Sequence, residues 1–339
     1  MLDRIKNTLS EDGVAFAVFD GVAPDPDFEQ VQAGEAVLRE ERCDAVIAVG
    51  GGSVMDAAKM IALLHNNPGD LAFFDGIQKA KRPGLPVFAI PTTAGTGSET
   101  SPAAVITESK THRKVAVADG KLVPDYVALD AGLMKTMPPQ ITASSGMDAL
   151  THAGESYLSK ASTASTEAMA GNAVRLTFKY LARAWRDGND MQAREAMAMA
   201  SFYAGVAFGR TSVGYAHGIA HQLGRVCSTP HGEANAMVLP EVLSAYGDCV
   251  HERLAALARV AGLGEEGDAP DKLAGELIDG IAALRRDLEM PLSPDGLKET
   301  DIPGIVKAAI AEAGDLYPVP RYLSASELGS IVRGLSLIH

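Results

Sequence analysis

Asp44 to Asp56 reads DAVIAVGGGSVMD: a nearly continuous apolar run, three glycines, and the start of a helical pattern that continues from Ser53 to Leu64. Such a run fits a strand buried on both faces of a parallel sheet. Glycines placed directly after a buried strand and before a helix occupy the position of a phosphate-binding loop. There the free backbone N–H groups and the positive helix end point at one spot, and no Cβ blocks a pyrophosphate. Ser53 with Asp56 is expected to form a capping box. The loop departs from the usual dinucleotide fingerprint, with Met55 where the third glycine would stand, and it is not a P-loop. Taken alone, it is also compatible with a tight strand-to-helix turn that binds nothing.

Working outward, strand and helix signals alternate. Val14 to Phe19 is expected as the first strand, followed by the turn-rich GVAPDPD and an amphipathic stretch from Phe28 to Glu41. Leu85 to Pro91, Ala103 to Thr107, Lys114 to Ala118 and Tyr126 to Asp130 complete the strand-like segments. A second polar loop, TTAGTGSE from Thr92 to Glu99, follows the strand that ends at Pro91. Its threonine hydroxyls and glycines suit a polar ligand at the binding crevice of an open α/β sheet; a helix N-cap at Thr96 or Ser98 is compatible with this. After about Met137 the chain turns helical, with apolar residues three and four apart in stretches such as HERLAALARVAGL. The expected organisation is an α/β domain over residues 1–136, with a parallel sheet, and an all-α domain over residues 137–339.

Bulk properties restrict the function classes. The 339 residues suffice for two domains of roughly 150 each, and 47% hydrophobic content supports a large core. A net charge of −13 argues against nucleic-acid or anionic-membrane partners. No stretch of about 18 apolar residues and no signal core is present. Cys43, Cys227 and Cys249 are too few and scattered for a disulfide framework or thiolate cluster, which fits a cytoplasmic setting and small-molecule partners.

The histidines carry the remaining signal. Asp148 and His152 are four apart in GMDALTH, as are His217 and His221 in HGIAH, and His231 follows in STPHG. That spacing puts each pair on one helix face. A carboxylate with imidazoles suits a divalent first-row metal such as Fe(II) or Zn(II). An isolated Asp–His pair is more often a surface hydrogen bond, but small apolar neighbours favour burial of His217 and His221, where unpartnered imidazoles would be costly. His65, His112, His251 and His339 lack such company and are expected to be ordinary side chains.

Four segments together, GGGSVMDAAK, PTTAGTGSET, GMDALTHAGESYLS and AHGIAHQLGRVCSTPHGEANAM, resemble the iron-containing (group III) alcohol dehydrogenase family in order and spacing. The resemblance runs from about Val18 to near the C-terminus. It implies that Asp148, His152, His217 and His231 bind Fe(II), with Zn(II) compatible, and that His221 is a non-ligand proton relay near the nicotinamide. It further implies that Gly51, Gly52 and Ser53 hold the pyrophosphate of NAD or NADP. Thr92, Thr93 and Thr96 would then lie near the cofactor's phosphates and ribose, and Lys114 at the nicotinamide ribose. The expected activity is hydride transfer between NAD(P) and a primary or small secondary alcohol or aldehyde, in a homodimer. The family's fold, a cofactor-binding α/β domain beside a helical metal domain, agrees with the reading above.

Two departures from the family pattern bear on this expectation. Relatives carry a further βα unit before the position of Met1, so the α/β domain is expected to lack the first βα unit, with the adenosine side of the site missing or rebuilt and an edge strand exposed. Ala103 and Ala104 replace bulkier or polar residues of some relatives, which hints at a roomier pocket. Two alternatives therefore stand: a metal-binding homologue that no longer binds dinucleotide, and a metal- and NAD-dependent enzyme like dehydroquinate synthase, against which the intact Asp-His-His-His pattern counts.

Overall fold

The computed structural model describes residues 2–109, 111, 113–314 and 317–336; His112 and His339 lie outside the described residues. The chain divides into two compact units, one of residues 1–93 and 97–134, the other of residues 94–96 and 135–339.

The first unit contains α1 (Leu2–Glu11), α2 (Phe28–Glu40), β1 (Val46–Gly50), α3 (Gly52–Asn66), β2 (Gly76–Ile77), β3 (Val87–Pro91), β4 (Ala103–Glu108), β5 (Arg113–Ala118) and β6 (Tyr126–Val127). The apolar run from Asp44 to Val49 supplies most of β1, but the expected burial on both faces does not hold, since Ile47 is 41% exposed. β1 pairs parallel with β3 from Val46↔Val87 to Gly50↔Pro91, and β3 pairs parallel with β6. Because Gly50 and Pro91 are register partners, the glycine and threonine loops leave the sheet at the same end.

The other two long strand signals belong elsewhere. β4 and β5 form an antiparallel pair, and β2 joins β5 in parallel to complete a second sheet of order β2-β5-β4. Both segments carry apolar residues on alternate positions, which is the pattern of a sheet with one covered face. Ala104, Ile106, Val115 and Val117 turn inward onto a core with Val31, Met60 and Leu63. Ala104 is thus packed in this core and opens no pocket.

The expected strand from Val14 to Phe19 is not formed. A strand needs a ladder partner, and among the described residues this segment has none. Val14, Phe16 and Val18 point outward at 49%, 42% and 42% exposure, while Phe19 packs on the core.

The second unit contains α4 (Pro139–Leu158), α5 (Ala164–Arg186), α6 (Met191–Thr211), α7 (Tyr215–Cys227), α8 (His231–Tyr246), α9 (His251–Ala261), α10 (Pro270–Asp287), α11 (Ile302–Ala313) and α12 (Ala325–Ser336). Pro139 sits in the first turn of α4, where its missing N–H costs nothing. α4 is buried along most of its length, including Met147 to Ser156, as expected for a helix at the centre of a bundle. Residues 94–96 belong with this unit, and Gly95 explains why: a Cβ there would lie 2.4 Å from the Ser145 carbonyl oxygen.

α8 carries Pro240 in its interior, which deprives the Ala236 carbonyl of its usual helical donor. Buried Arg285 supplies a substitute, its Nη1 lying 3.4 Å from the carbonyl oxygens of both Ala236 and Met237. The helix that carries His231 and Asn235 is thereby kept intact.

Candidate functional site

In the first unit the two loops touch. The Thr92 amide donates to the Gly50 carbonyl at 2.8 Å. A Cβ at Gly51 would stand 3.1 Å from Thr93 Cγ2 and 3.3 Å from its Oγ1, so glycine at this position lets the loops pack. Gly51 caps α3 with extended backbone and no side-chain hydrogen bond, leaving the first-turn amides of Gly52 and Ser53 at an uncapped helix end. That end suits an anion.

The expected Ser53–Asp56 capping box is not formed. The helix starts at Gly52, placing Ser53 inside the first turn, and Asp56 accepts instead from Ser98 Oγ at 2.6 Å and the Val105 amide at 2.9 Å. Lys59, 1% exposed, donates to Ser98 Oγ, to Ser101 through its carbonyl and Oγ, and to the Ala103 carbonyl. Burial pushes this lysine down to about 8, against the attraction of Asp56 and Glu99. Glu99, also buried, is pushed up to about 7 by desolvation. No helix begins at Thr96 or Ser98; the segment is a series of turns tied to α3 by this buried polar cluster. Thr96 itself belongs to the second unit.

Lys114, on β5, is half exposed and donates to Asp25 Oδ1 at 2.6 Å and Thr107 Oγ1 at 3.0 Å. The Asp25 amide lies 3.4 Å from Ser53 Oγ, and Asp25 has a φ of 56°. The loop GVAPDPD therefore links Ser53 to Lys114, a role its turn-rich composition did not disclose.

In the second unit three helices converge. α4 presents Asp148, His152 and Glu155, at i, i+4 and i+7; α7 presents His217 and His221; α8 presents His231 and Asn235. One ligand atom each from Asp148, His217 and His231 lies within 4.8 Å of the others. Asp148 Oδ1 is 3.4 Å from His231 Nε2 and 3.8 Å from His217 Nε2. His152 is adjacent but outside this set: its Nδ1 is 3.8 Å from Asp148 Oδ2, and its ring stacks on His217 at 4.5 Å between centroids.

The cluster fits a cation better than it fits hydrogen bonding alone. The Asn235 amide nitrogen, with two hydrogens, donates to Asp148 Oδ1 at 2.8 Å and also faces the Nε2 atoms of His217 and His231 at 3.2 Å each, three polar neighbours that it cannot all serve as a donor. Buried His152 Nδ1 and Asn235 Oδ1 have no hydrogen-bond partner, a costly condition for interior polar atoms. Protonation also favours a cation. Burial opposes the Asp148 charge, but the surrounding imidazoles outweigh it and hold the carboxyl well below its ordinary range. Burial pushes His152 down to about 3 and His217 well below its ordinary value. An ionised carboxylate with neutral His152 and His217 suits a divalent metal. Burial opposes the charge on His231, but the Asp148 carboxylate outweighs it and raises this imidazole, so a metal there would displace a proton.

His221 is partly exposed, contrary to the burial its small neighbours suggested, with 41% of its side chain accessible. Its Nδ1 lies 2.5 Å from Glu312 Oε1. Glu312 also accepts from Tyr317 Oη at 2.6 Å and Gln222 Nε2 at 2.9 Å, and these bonds hold its carboxyl below its ordinary value in spite of desolvation. Three supporting residues escaped the sequence reading. Glu155 and Asn235 sit at helical spacing from Asp148 and His231, a signal that was available; Glu312 is 91 residues from His221, and no local pattern connects them. His65, by contrast, is an ordinary side chain that meets Glu35 at 3.1 Å.

Comparison with known proteins follows the same division. Residues 1–131 match the family model described as iron-containing alcohol dehydrogenase, and residues 142–334 match that of the Fe-containing alcohol dehydrogenase family, C-terminal. Alcohol dehydrogenase 4 of Schizosaccharomyces pombe is 39% identical over 319 residues, covering 92% of this chain and 74% of that protein. The 1,3-propanediol dehydrogenase of Klebsiella pneumoniae is 38% identical over 334 residues, covering 98% and 86%. The crystal structure of a 1,3-propanediol oxidoreductase superposes with a TM-score of 0.94 at 38% identity, over 98% of this chain and 88% of the other. With both units matched by family models, the chain belongs to the iron-containing alcohol dehydrogenase family.

Proposed function

We propose that this chain is a metal-dependent oxidoreductase that moves a hydride between NAD or NADP and a primary or small secondary alcohol or the corresponding aldehyde. The observation that carries the reading is the convergence of Asp148, His217 and His231. Asp148, His152, His217 and His231 are the residues we assign to Fe(II), and the same oxygen and nitrogen donors accept Zn(II). When bound, the ion supplies Lewis acidity that lowers the pKa of an alcohol or polarises a carbonyl.

The chain's own groups do the remaining work. Gly51, Gly52 and Ser53 offer backbone amides to a pyrophosphate at the start of α3, with Thr92, Thr93 and Thr96 as hydroxyl donors and Lys114 as a ribose ligand. His221 is the proton carrier: Glu312 engages its Nδ1, leaving Nε2 to exchange with substrate, and its exposure gives the proton a route to water. The reading is of a cytoplasmic homodimer, supported by the family resemblance and by three cysteines that form no disulfide. No helix among the described residues is long and apolar enough to cross a membrane.

A second reading, a metal-binding homologue without dinucleotide affinity, has one observation in its favour, the unpaired Val14–Phe19 segment. Titration of anaerobically metal-loaded protein with NADH and with NADPH, followed by nicotinamide fluorescence, separates the two. Saturable binding of either cofactor supports the oxidoreductase; no binding of either, with metal present, supports the second reading.

A further inference from the structure

Glu155 is neither a member of the converging ligand set nor exposed to solvent, yet it makes three hydrogen bonds to one short segment. Its Oε2 accepts from the Gly214 amide at 2.8 Å and lies 2.6 Å from His217 Nδ1, and its Oε1 accepts from the Ala216 amide at 2.7 Å. The side chain is 4% accessible. Gly214 and Ala216 bracket the start of α7, whose N-cap has no side-chain hydrogen bond of its own. One carboxylate on α4 therefore seats the first turn of α7 and grips the imidazole that this turn carries.

We infer that Glu155 is the positioning residue of the metal site: it fixes His217 in the Nδ1–H tautomer and so directs the Nε2 lone pair toward Asp148 and His231. Oε2 accepts from the Gly214 amide and Oε1 from the Ala216 amide, so we assign the carboxylate as the acceptor at His217 Nδ1 and the imidazole proton to Nδ1. Nε2 is then the lone-pair nitrogen, and this atom lies 3.2 Å from Asn235 Nδ2 and 3.8 Å from Asp148 Oδ1, on the side where the ligand atoms meet. A carboxylate behind a metal-bound histidine fixes ring orientation and raises ligand basicity. His231, 44% accessible, has no comparable buried carboxylate at its other nitrogen among the described contacts, so the buried His217 is the imidazole held most firmly in place. The inference rests on the proposed role of His217 as a ligand.

The test uses Glu155→Gln in the full chain, because glutamine keeps the shape and places an NH2 against either the Ala216 amide or the Gly214–His217 pair. Glu155→Asp serves as the conservative variant. Long-range 1H–15N spectra of the metal-free, histidine-labelled protein, with the His217 signal identified from His217→Ala, report the tautomer directly. Co(II) affinity is measured by chelator competition, and thermal unfolding reports any purely structural contribution. The wild type is expected to show a single Nδ1–H tautomer at His217. Glu155→Gln is expected to show a mixed or reversed tautomer and Co(II) binding weaker by about 10- to 100-fold, with partial recovery in Glu155→Asp. An unchanged tautomer and unchanged Co(II) affinity, with only a lower unfolding temperature, would overturn the inference. Failure of the wild type to bind Co(II) would strike at the metal assignment and at this inference with it. The tautomer spectrum distinguishes that failure from an error about Glu155 alone.

Discussion

In the helical unit, the candidate site is made of side chains from α4, α7 and α8, and their identities determine its chemistry. In the α/β unit the proposed cofactor contacts are backbone amides at the end of β1, and side-chain identity matters mainly where it makes room, as at Gly51, or holds the loop from behind, as Asp56, Lys59 and Ser98 do. The difference predicts opposite sensitivities. Removing a functional atom should cripple the histidine cluster, whereas adding an unwanted one should cripple the glycine loop.

The largest effect is expected at His217. His217→Ala should lose bound metal, measured by elemental analysis after anaerobic loading, together with nearly all turnover; retained metal would sink the ligand assignment. Gly51→Val comes next. Its Cβ would press on Thr93, displacing amides that would each contribute about 1.5–3 kcal/mol to a charged ligand. NAD(P)H affinity should fall by roughly 10- to 100-fold, with metal content intact; unchanged affinity would break the contrast between the units. Lys59→Met leaves Asp56 without its buried partner and should destabilise the first unit by about 3 kcal/mol, read as a lower unfolding temperature.

A smaller, pH-dependent effect is expected at Glu99. Burial raises its carboxyl from 4.5 to about 7 in the folded chain, so the folded state holds a proton that the unfolded state has released. Its favourable contribution is present below the unfolded value and is lost as pH rises through about 7. Glu99→Gln should therefore raise the unfolding temperature more at pH 8 than at pH 5; the reverse order would contradict the burial argument. The mildest change is Ser53→Ala, which removes one neutral hydrogen-bonding group worth about 1 kcal/mol, and a few-fold rise in the KM for cofactor is expected.

The same contrast explains what the sequence disclosed. Asp148–His152 and His217–His221 are legible because helical spacing fixes which side chains share a face, and β1 with its glycines is legible as a strand-to-helix turn, although its apolar run did not disclose that Ile47 is exposed. Glu155 follows Asp148 by seven residues and was readable by that rule, but nothing local shows that it meets α7. Glu312, itself bonded by Tyr317, reaches His221 only through tertiary packing. Strand signals gave existence without partners: Ala103–Glu108 and Arg113–Ala118 pair with each other in a separate sheet, and Val14–Phe19 pairs with nothing among the described residues.

The most direct measurement is alcohol-dependent reduction of NAD+ and NADP+ by protein stripped of metal and then reconstituted anaerobically with Fe(II), using a series of short primary alcohols. The account predicts negligible turnover after stripping, restoration on Fe(II) addition, and no restoration in His217→Ala. Turnover that survives complete metal removal, or that Fe(II) restores equally in His217→Ala, would contradict it.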